Sequence, residues 1–330
     1  MDAAPFFETV SEGPGDGAAF WLVAEDGVRL RIAVWGRKAT GGTVLLFPGR
    51  TEYVEKYGRA AADFLQRGLA TVAIDWRGQG LADRLHDDRA LGHIDRFDAY
   101  QRDVAAVMRA VGLLGLPRPF HLLAHSMGGA IGLRALHEGL DVAAAAFSAP
   151  MWGIRFPPLL GPAAWAITAA SRPLGLGLRA TPGTGGNSYV LSRAFEENDL
   201  TSDAEMFGYM RRQLSEQPEL GLSGPTLIWL HEALREIRAL GRRPAPPVPA
   251  LAFLGTDERI VSPDAIRARM ERWRGGELKV IEGARHEVMM ERPEIRQLVF
   301  DSAADHFSRH ASRPVSPPRA GQSPQPAGSE

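Results

Sequence analysis

Short apolar runs alternate with stretches of helical periodicity along most of this chain, and that alternation restricts the fold more than any other feature. Val44–Phe47 stops at Pro48-Gly49 and reads as a buried strand. Tyr57, Ala60, Ala61, Phe64 and Leu65 then recur at i, i+3, i+4, i+7 and i+8, the face of an amphipathic helix that Gly68 ends. Ala70–Ile74 predicts a second buried strand, and Val104, Val107, Met108, Val111 and Leu114 line one face of the next helix. Phe120–Ala124 follows as a third strand, Met127–His137 as a helix and Val142–Phe147 as a fourth strand. Ahead of these, Phe20–Ala24 and Val28–Trp35 flank Asp26-Gly27, a two-residue hairpin signal. Strand–helix units in series predict an α/β fold with a mostly parallel central sheet flanked by helices.

The alternation breaks at Met151. Up to about Gly186 the chain is rich in Gly, Pro and large apolar residues, among them Trp152, Ile154, Phe156, Trp165 and Ile167. A helix opens near Ser202-Asp203-Ala204-Glu205, which has capping-box spacing, and Leu227, Leu230, Leu234 and Ile237 mark another. After the stiff linker 244–249 the alternation resumes: a strand at Ala250–Leu254, a helix at Pro263–Trp273, a strand at Leu278–Ile281, and a final helix from Pro293. That helix is expected to bury Ile295, Leu298, Val299, Ala303, His306 and Phe307. The economical division is a flexible N-terminus at 1–17, a core built from 18–150 and 246–310, an inserted helical lid at 151–245, and a disordered Pro/Ser/Gly/Gln-rich tail at 311–330.

With 330 residues the chain can bury a large core without staples, and with no Cys it forms no disulfide or thiolate metal site. A formal net charge of −1 gives no support for a nucleic-acid partner or a polybasic anchor. Residues 1–17 lack the pattern of a signal peptide, and no apolar run approaches the ~18 residues of a membrane span. The expectation is a soluble, cytoplasmic protein, with transient peripheral membrane contact through the lid left open.

Chemistry enters where the strand Phe120–Ala124 runs into His125-Ser126-Met127-Gly128-Gly129 and then a helix. A Ser on a sharp strand-to-helix turn projects its hydroxyl above the sheet, and small residues must flank it. Ala124 stands where the usual G-x-S-x-G pattern has its first Gly, one methyl larger. The hydroxyl needs a base, and the base needs an acid to orient it; on such an elbow they follow in the order Ser, acid, His. His286, just past the last strand, is placed as the base. The acid belongs after the strand Ala250–Leu254, where Asp257 and Glu258 compete. An oxyanion hole needs two backbone N–H groups, predicted from Met127 and from Arg50 in the turn after Val44–Phe47. This chemistry requires no cofactor and no metal.

Two other clusters read as structural. Asp83, His86, Asp87, His93 and Asp95 have metal-ligand chemistry, but a solvated loop with Asp95 or Asp98 capping the next helix is the simpler reading. Asp75-Trp76-Arg77-Gly78-Gln79-Gly80 follows a strand as a phosphate loop would, yet lacks the Lys and the Gly spacing, so a structural turn is expected.

Four segments together carry a family resemblance: Phe47-Pro48-Gly49-Arg50-Thr51-Glu52-Tyr53, Asp75 to Gly80, His125 to Gly129, and Ala284-Arg285-His286-Glu287. In this order and spacing the chain resembles the bacterial lysophospholipase and monoacylglycerol lipase branch of the α/β-hydrolases, over about residues 18–310. The resemblance implies an α/β-hydrolase fold with an inserted lid. It also implies a serine hydrolase cleaving carboxylic esters, with a small lipid or ester as substrate. The family's acid stands three residues after a Gly, which laid over Gly255 selects Glu258, with Asp257 second. Pro48-Gly49, where monoacylglycerol lipases usually carry His-Gly, implies a lysophospholipid ahead of a monoacylglycerol or a small ester. A ligand-binding receptor on the same scaffold is the reading outside enzymes.

Overall fold

The computed structural model describes residues 1–312 apart from 158, 159, 185 and 187. Of the tail expected at 311–330, residues 313–330 lie outside the described residues. Eight strands form one sheet: β1 (Ala18–Val23), β2 (Arg29–Trp35), β3 (Thr43–Phe47), β4 (Ala70–Asp75), β5 (Phe120–His125), β6 (Ala144–Ser148), β7 (Ala250–Gly255) and β8 (Gly276–Ile281). Their spatial order is β1-β2-β4-β3-β5-β6-β7-β8, with β1 and β2 antiparallel to their neighbours and all later pairs parallel. Among the described residues the helices are α1 (Glu8–Ser11), α2 (Gly58–Gln66), α3 (Tyr100–Leu113), α4 (Met127–His137), α5 (Leu160–Ser171), α6 (Tyr189–Ser192), α7 (Ala204–Glu216), α8 (Leu227–Gly241), α9 (Pro263–Glu271) and α10 (Pro293–His310).

Successive strand residues point to opposite faces, so the central strands, apolar throughout, feed two cores. Leu45 and Phe47 join Leu122, Ala124 and Leu254 beneath α3, α4, α8 and α9, while Val44 and Leu46 join Leu123, Leu251 and Phe253 beneath α2 and α10. Although α8 falls within 151–245, its Trp229, Leu230, Ala233 and Leu240 belong to the first of these cores. Met206, Phe207, Tyr209 and Met210 of α7 form a smaller cluster with Met290. α5 is thinly attached, with Thr168 and Ser171 as its buried residues.

Several expectations need correction. The β1–β2 loop has three residues, Glu25 to Gly27, closed by Ala24 N–H to Val28 O; Gly27 at φ +84° takes the left-handed position that ends a type I turn. Residues 1–17 are anchored: Ala4 N–H donates to Ala19 O, Trp21 N–H donates to Asp2 O, and Pro5 O accepts from buried Arg31. The cap of α7 is Asp203, which accepts from Glu205 and Met206 N–H, because Ser202 is held by the Glu291 carboxylate. Leu298 is exposed, and Phe300 takes the buried place on α10. Neither Asp95 nor Asp98 caps a helix: Asp98 pairs with Arg96 at 2.6 Å, and Asp95 is a surface residue.

Candidate active site

The carboxyl ends of β5, β7 and β8 come together above the sheet. Ser126 sits on the elbow between β5 and α4 with φ +49° and ψ −117°, a conformation non-glycine residues reach only under constraint. The constraint is visible: Ser126 N–H donates to Ser148 O, and Ser126 O accepts from Gly129 and Met151 N–H. A Cβ on Gly128 would lie 2.1 Å from Phe47 O, and one on Gly129 2.5 Å from Pro150 Cβ, so α4 can start against β3 and β6 only with glycine at both positions. Ala124 fits as the first small residue because Gly132 faces it.

His286 Nε2 is 2.9 Å from Ser126 Oγ, and His286 Nδ1 is 2.7 Å from Glu258 Oε2. A carboxylate only accepts, which puts the imidazole proton on Nδ1 and leaves Nε2 free to take the serine proton. Glu258 is 1% exposed, and its Oε1 accepts from Ile260 N–H at 2.6 Å and Val261 N–H at 3.0 Å. Burial acts to raise this carboxyl, but the His286 charge, its hydrogen bond and the two amides outweigh it and hold Glu258 below the ordinary range. Asp257, its rival in the sequence, is exposed.

The turn after β3 is braced on every side. Pro48 O accepts from Trp76 Nε1, Gly49 N–H donates to Glu52, Gly49 O accepts from Gln79 Nε2, and Thr51 N–H donates to Gln79 Oε1. Between these anchors Arg50 N–H meets no acceptor among the described residues. Met127 N–H opens α4, where the first amides have no partner within the helix.

The segment 75–80 is therefore a brace. Asp75 also bonds Arg31, Val54 N–H and Leu81 N–H, and a Cβ on Gly80 would collide with it. Arg77 forms ion pairs with Asp26 and Asp103, both at 2.7 Å. In the acidic loop Asp83 binds Arg29, while buried His93 bonds Thr226 through Nδ1 and faces Asp95 at 3.4 Å through Nε2. The sequence reading missed the buried charges Glu52, Lys56, His125 and Glu287 beside the site. Lys56 four residues after Glu52 was the one available signal.

Ser126, His286 and Arg50 border a cavity of about 420 Å³, which Tyr189, Val190, Met210 and Leu214 help to line. This is the size of a pocket for a small organic ligand.

Residues 38–293 match the family described as serine aminopeptidase, S33. The chain belongs to that family of α/β-hydrolases. It is 31% identical over 301 residues to lysophospholipase L2 of Escherichia coli K12, covering 87% of this chain and 86% of the relative. A probable lysophospholipase L2 of Haemophilus influenzae is 30% identical over 266 residues, covering 80% and 82%. Among solved structures, a soluble variant of monoglyceride lipase from Saccharomyces cerevisiae superposes with a TM-score of 0.69 at 20% identity, covering 88% of this chain and 95% of that one. This S33-family chain is thus an ester-cleaving serine hydrolase of the lysophospholipase and monoacylglycerol lipase-like branch. No helix among the described residues is long and apolar enough to cross a membrane.

Proposed function

We propose that the chain releases the fatty acid of a lysophospholipid, with Ser126 as nucleophile, His286 as base and Glu258 as the acid that orients it. The observation that carries this reading is the hydrogen-bonded chain from Ser126 through His286 to Glu258 at the edge of the cavity. His286 Nε2 takes the Ser126 proton as Oγ attacks the ester carbonyl. The Arg50 and Met127 amides receive the oxyanion. The C–O bond to the glycerol breaks, the protonated imidazole returns its proton to the leaving alkoxide, and an acyl-serine remains. Water, deprotonated by the same imidazole, then frees the acid and restores the serine.

Two features support a phosphate-bearing substrate at a lipid surface. The Arg50 guanidinium has no carboxylate partner among the described residues. It donates to Ser223 O at 2.9 Å and lies 5.5 Å from the Trp229 ring centre, and burial pushes it down to about 10. An anion brought by the substrate would supply the missing charge. In addition, residues 142–195 contain no Asp or Glu but carry Arg155, Arg172, Arg179 and Arg193. The same stretch exposes Leu160, Ile167, Leu174 and Leu178 by 51–67%. A basic, apolar surface of this kind suits contact with anionic lipid.

The test is fatty-acid release from a lysophosphatidylcholine, a monoacylglycerol and a short p-nitrophenyl ester, each with a Ser126→Ala control. Release from the first, lost in the control, supports the reading. Turnover of the short ester alone would sink the lipid assignment. Arg50→Met should lower the lysophospholipid-to-monoacylglycerol ratio by roughly tenfold, the worth of one charged contact; an unchanged ratio removes Arg50 from head-group recognition.

A further inference from the structure

Glu52, Lys56, His125 and Glu287 form a buried cluster that the hydrolysis scheme leaves unused. Lys56 Nζ lies 2.5 Å from Glu52 Oε1 and 2.6 Å from Glu287 Oε1. His125 Nε2 faces the same two carboxylates, 3.5 Å from Glu52 Oε1 and 3.3 Å from Glu287 Oε2. All four side chains are at most 6% exposed. Donor atoms of Glu52, His125 and Glu287 lie within 4.8 Å of one another, a spacing that would suit a metal ion. Lys56 already bridges both carboxylates, so the cluster carries its own cation.

Charge balance inside the cluster is close. Burial opposes a charge on Lys56, but Glu287 and Glu52 outweigh it and hold the ammonium above its ordinary value. Burial likewise opposes protonation of His125, which the same two carboxylates raise. Two buried carboxylates therefore face the Lys56 ammonium and an imidazole whose protonation they favour. Such a group is costly to desolvate, and an apolar filling of the same shape is often as stable or more so. Stability alone does not account for its presence.

Its position does. Each member adjoins a working part: Glu52 Oε2 accepts the Gly49 N–H, one residue before Arg50, together with the Tyr57 hydroxyl. His125 immediately precedes Ser126, and Glu287 immediately follows His286. The His125 and His286 ring centres are 4.9 Å apart. Gly49 permits the close approach, since a Cβ there would lie 3.0 Å from the Glu52 carboxylate.

We propose that Glu52, Lys56 and Glu287 are positioning residues that tie the Pro48–Thr51 turn to the His286 loop, fixing the Arg50 amide and the imidazole on either side of the reacting carbon. Charge-assisted hydrogen bonds are about twice as strong as neutral ones, and among the described residues only here does a chain of them link these two loops directly. The clamp rests on the roles proposed above for Ser126 and His286.

The experiment compares two probes on the full chain. A long-chain trifluoromethyl ketone forms a serine hemiketal whose oxygen needs the oxyanion donors, whereas a 1-O-alkyl ether lysophospholipid binds without reacting. Glu52→Gln should weaken the ketone by about 10²-fold, the scale of one lost oxyanion donor, and leave the ether within twofold. kcat should fall in step with ketone affinity while KM holds. Lys56→Met leaves the two carboxylates facing His125 alone and risks unfolding, so the double variant Lys56→Met/Glu287→Gln, which removes one charge of each sign, accompanies it. The double variant should regain melting temperature but not kcat. Recovery of kcat together with melting temperature, equal losses for both probes, or an unaffected Glu52→Gln enzyme would each overturn the clamp. Ketone affinity insensitive to Ser126→Ala would instead overturn the nucleophile assignment, whatever the Glu52 variant does.

Discussion

The floor of the cavity and the helix α5 are built in opposite ways. On the floor, each chemical group is over-determined: Ser126 by three backbone bonds, Glu258 by two amides and an imidazole, the Pro48–Thr51 turn by Trp76, Gln79 and Glu52. By contrast α5, which contributes nothing to the cavity lining, buries only Thr168 and Ser171 and turns Leu160 and Ile167 to solvent. The contrast separates two tasks. Transition-state chemistry tolerates errors of well under an ångström, and the ends of packed strands hold that tolerance. Presenting an apolar face, the role proposed above for residues 142–195, needs area more than fixed geometry, and a loosely attached helix supplies it.

Substitutions can break this contrast, beginning with the largest effect. Ser126→Ala should cut turnover by about 10⁴-fold or more with an unchanged melting temperature, read by ester hydrolysis and calorimetry; residual activity above that would place the nucleophile elsewhere. Glu258→Gln should cost on the order of 10³-fold in kcat, whereas Asp257→Asn stays within twofold. The reverse pattern would exchange the two acids.

Stability should divide in the same way. Phe147→Ala, at a fully buried site on β6, should cost about 3–5 kcal/mol in urea titration. Ile167→Ala, at a site 56% exposed, should stay within about 0.5 kcal/mol. Equal costs would mean that α5 is packed as firmly as the sheet. Between these, Asp203→Ala removes the α7 cap and should cost about 1 kcal/mol.

A smaller effect belongs to pH. His121, stacked on Phe307 with a 4.7 Å centroid separation, is pushed down to about 4 by burial, with His306 and His310 adding to the effect. The unfolded chain then binds a proton that the folded one refuses between about pH 6.5 and 4, so this residue makes stability fall as pH falls through that window. His121→Leu should flatten the wild-type slope between those values. A slope that does not change would mean that His121 is protonated in the fold.

Legibility in the sequence followed the same division. The central strands could be read because they are buried on both faces and so stay apolar throughout, as in Leu251–Leu254. Pro293 marked the first turn of α10, and the Ser126 elbow could be read because its steric demands fall on adjacent residues. The choice between Asp257 and Glu258 was not local: it depends on which carboxylate faces a loop 28 residues further on. The clamp stayed hidden for the same reason, since Lys56 and Glu287 are 231 residues apart. Leu298 was misjudged because a wide apolar stripe on α10 does not say which edge the sheet covers. The anchored N-terminus carries no periodicity at all; its order comes from β1 and Arg31.

The hydrogen-bonded set of 126, 258 and 286 also has a temporal consequence. A ribosome making this chain completes the serine elbow early, but the imidazole that would activate it is residue 286 of 330. On the roles proposed for Ser126 and His286, every shorter nascent chain displays an inert alcohol. On those roles the growing polypeptide carries no working ester hydrolase until all eight strands of its sheet have been synthesised, and a truncation ahead of β8 yields a protein that is chemically silent rather than merely slow.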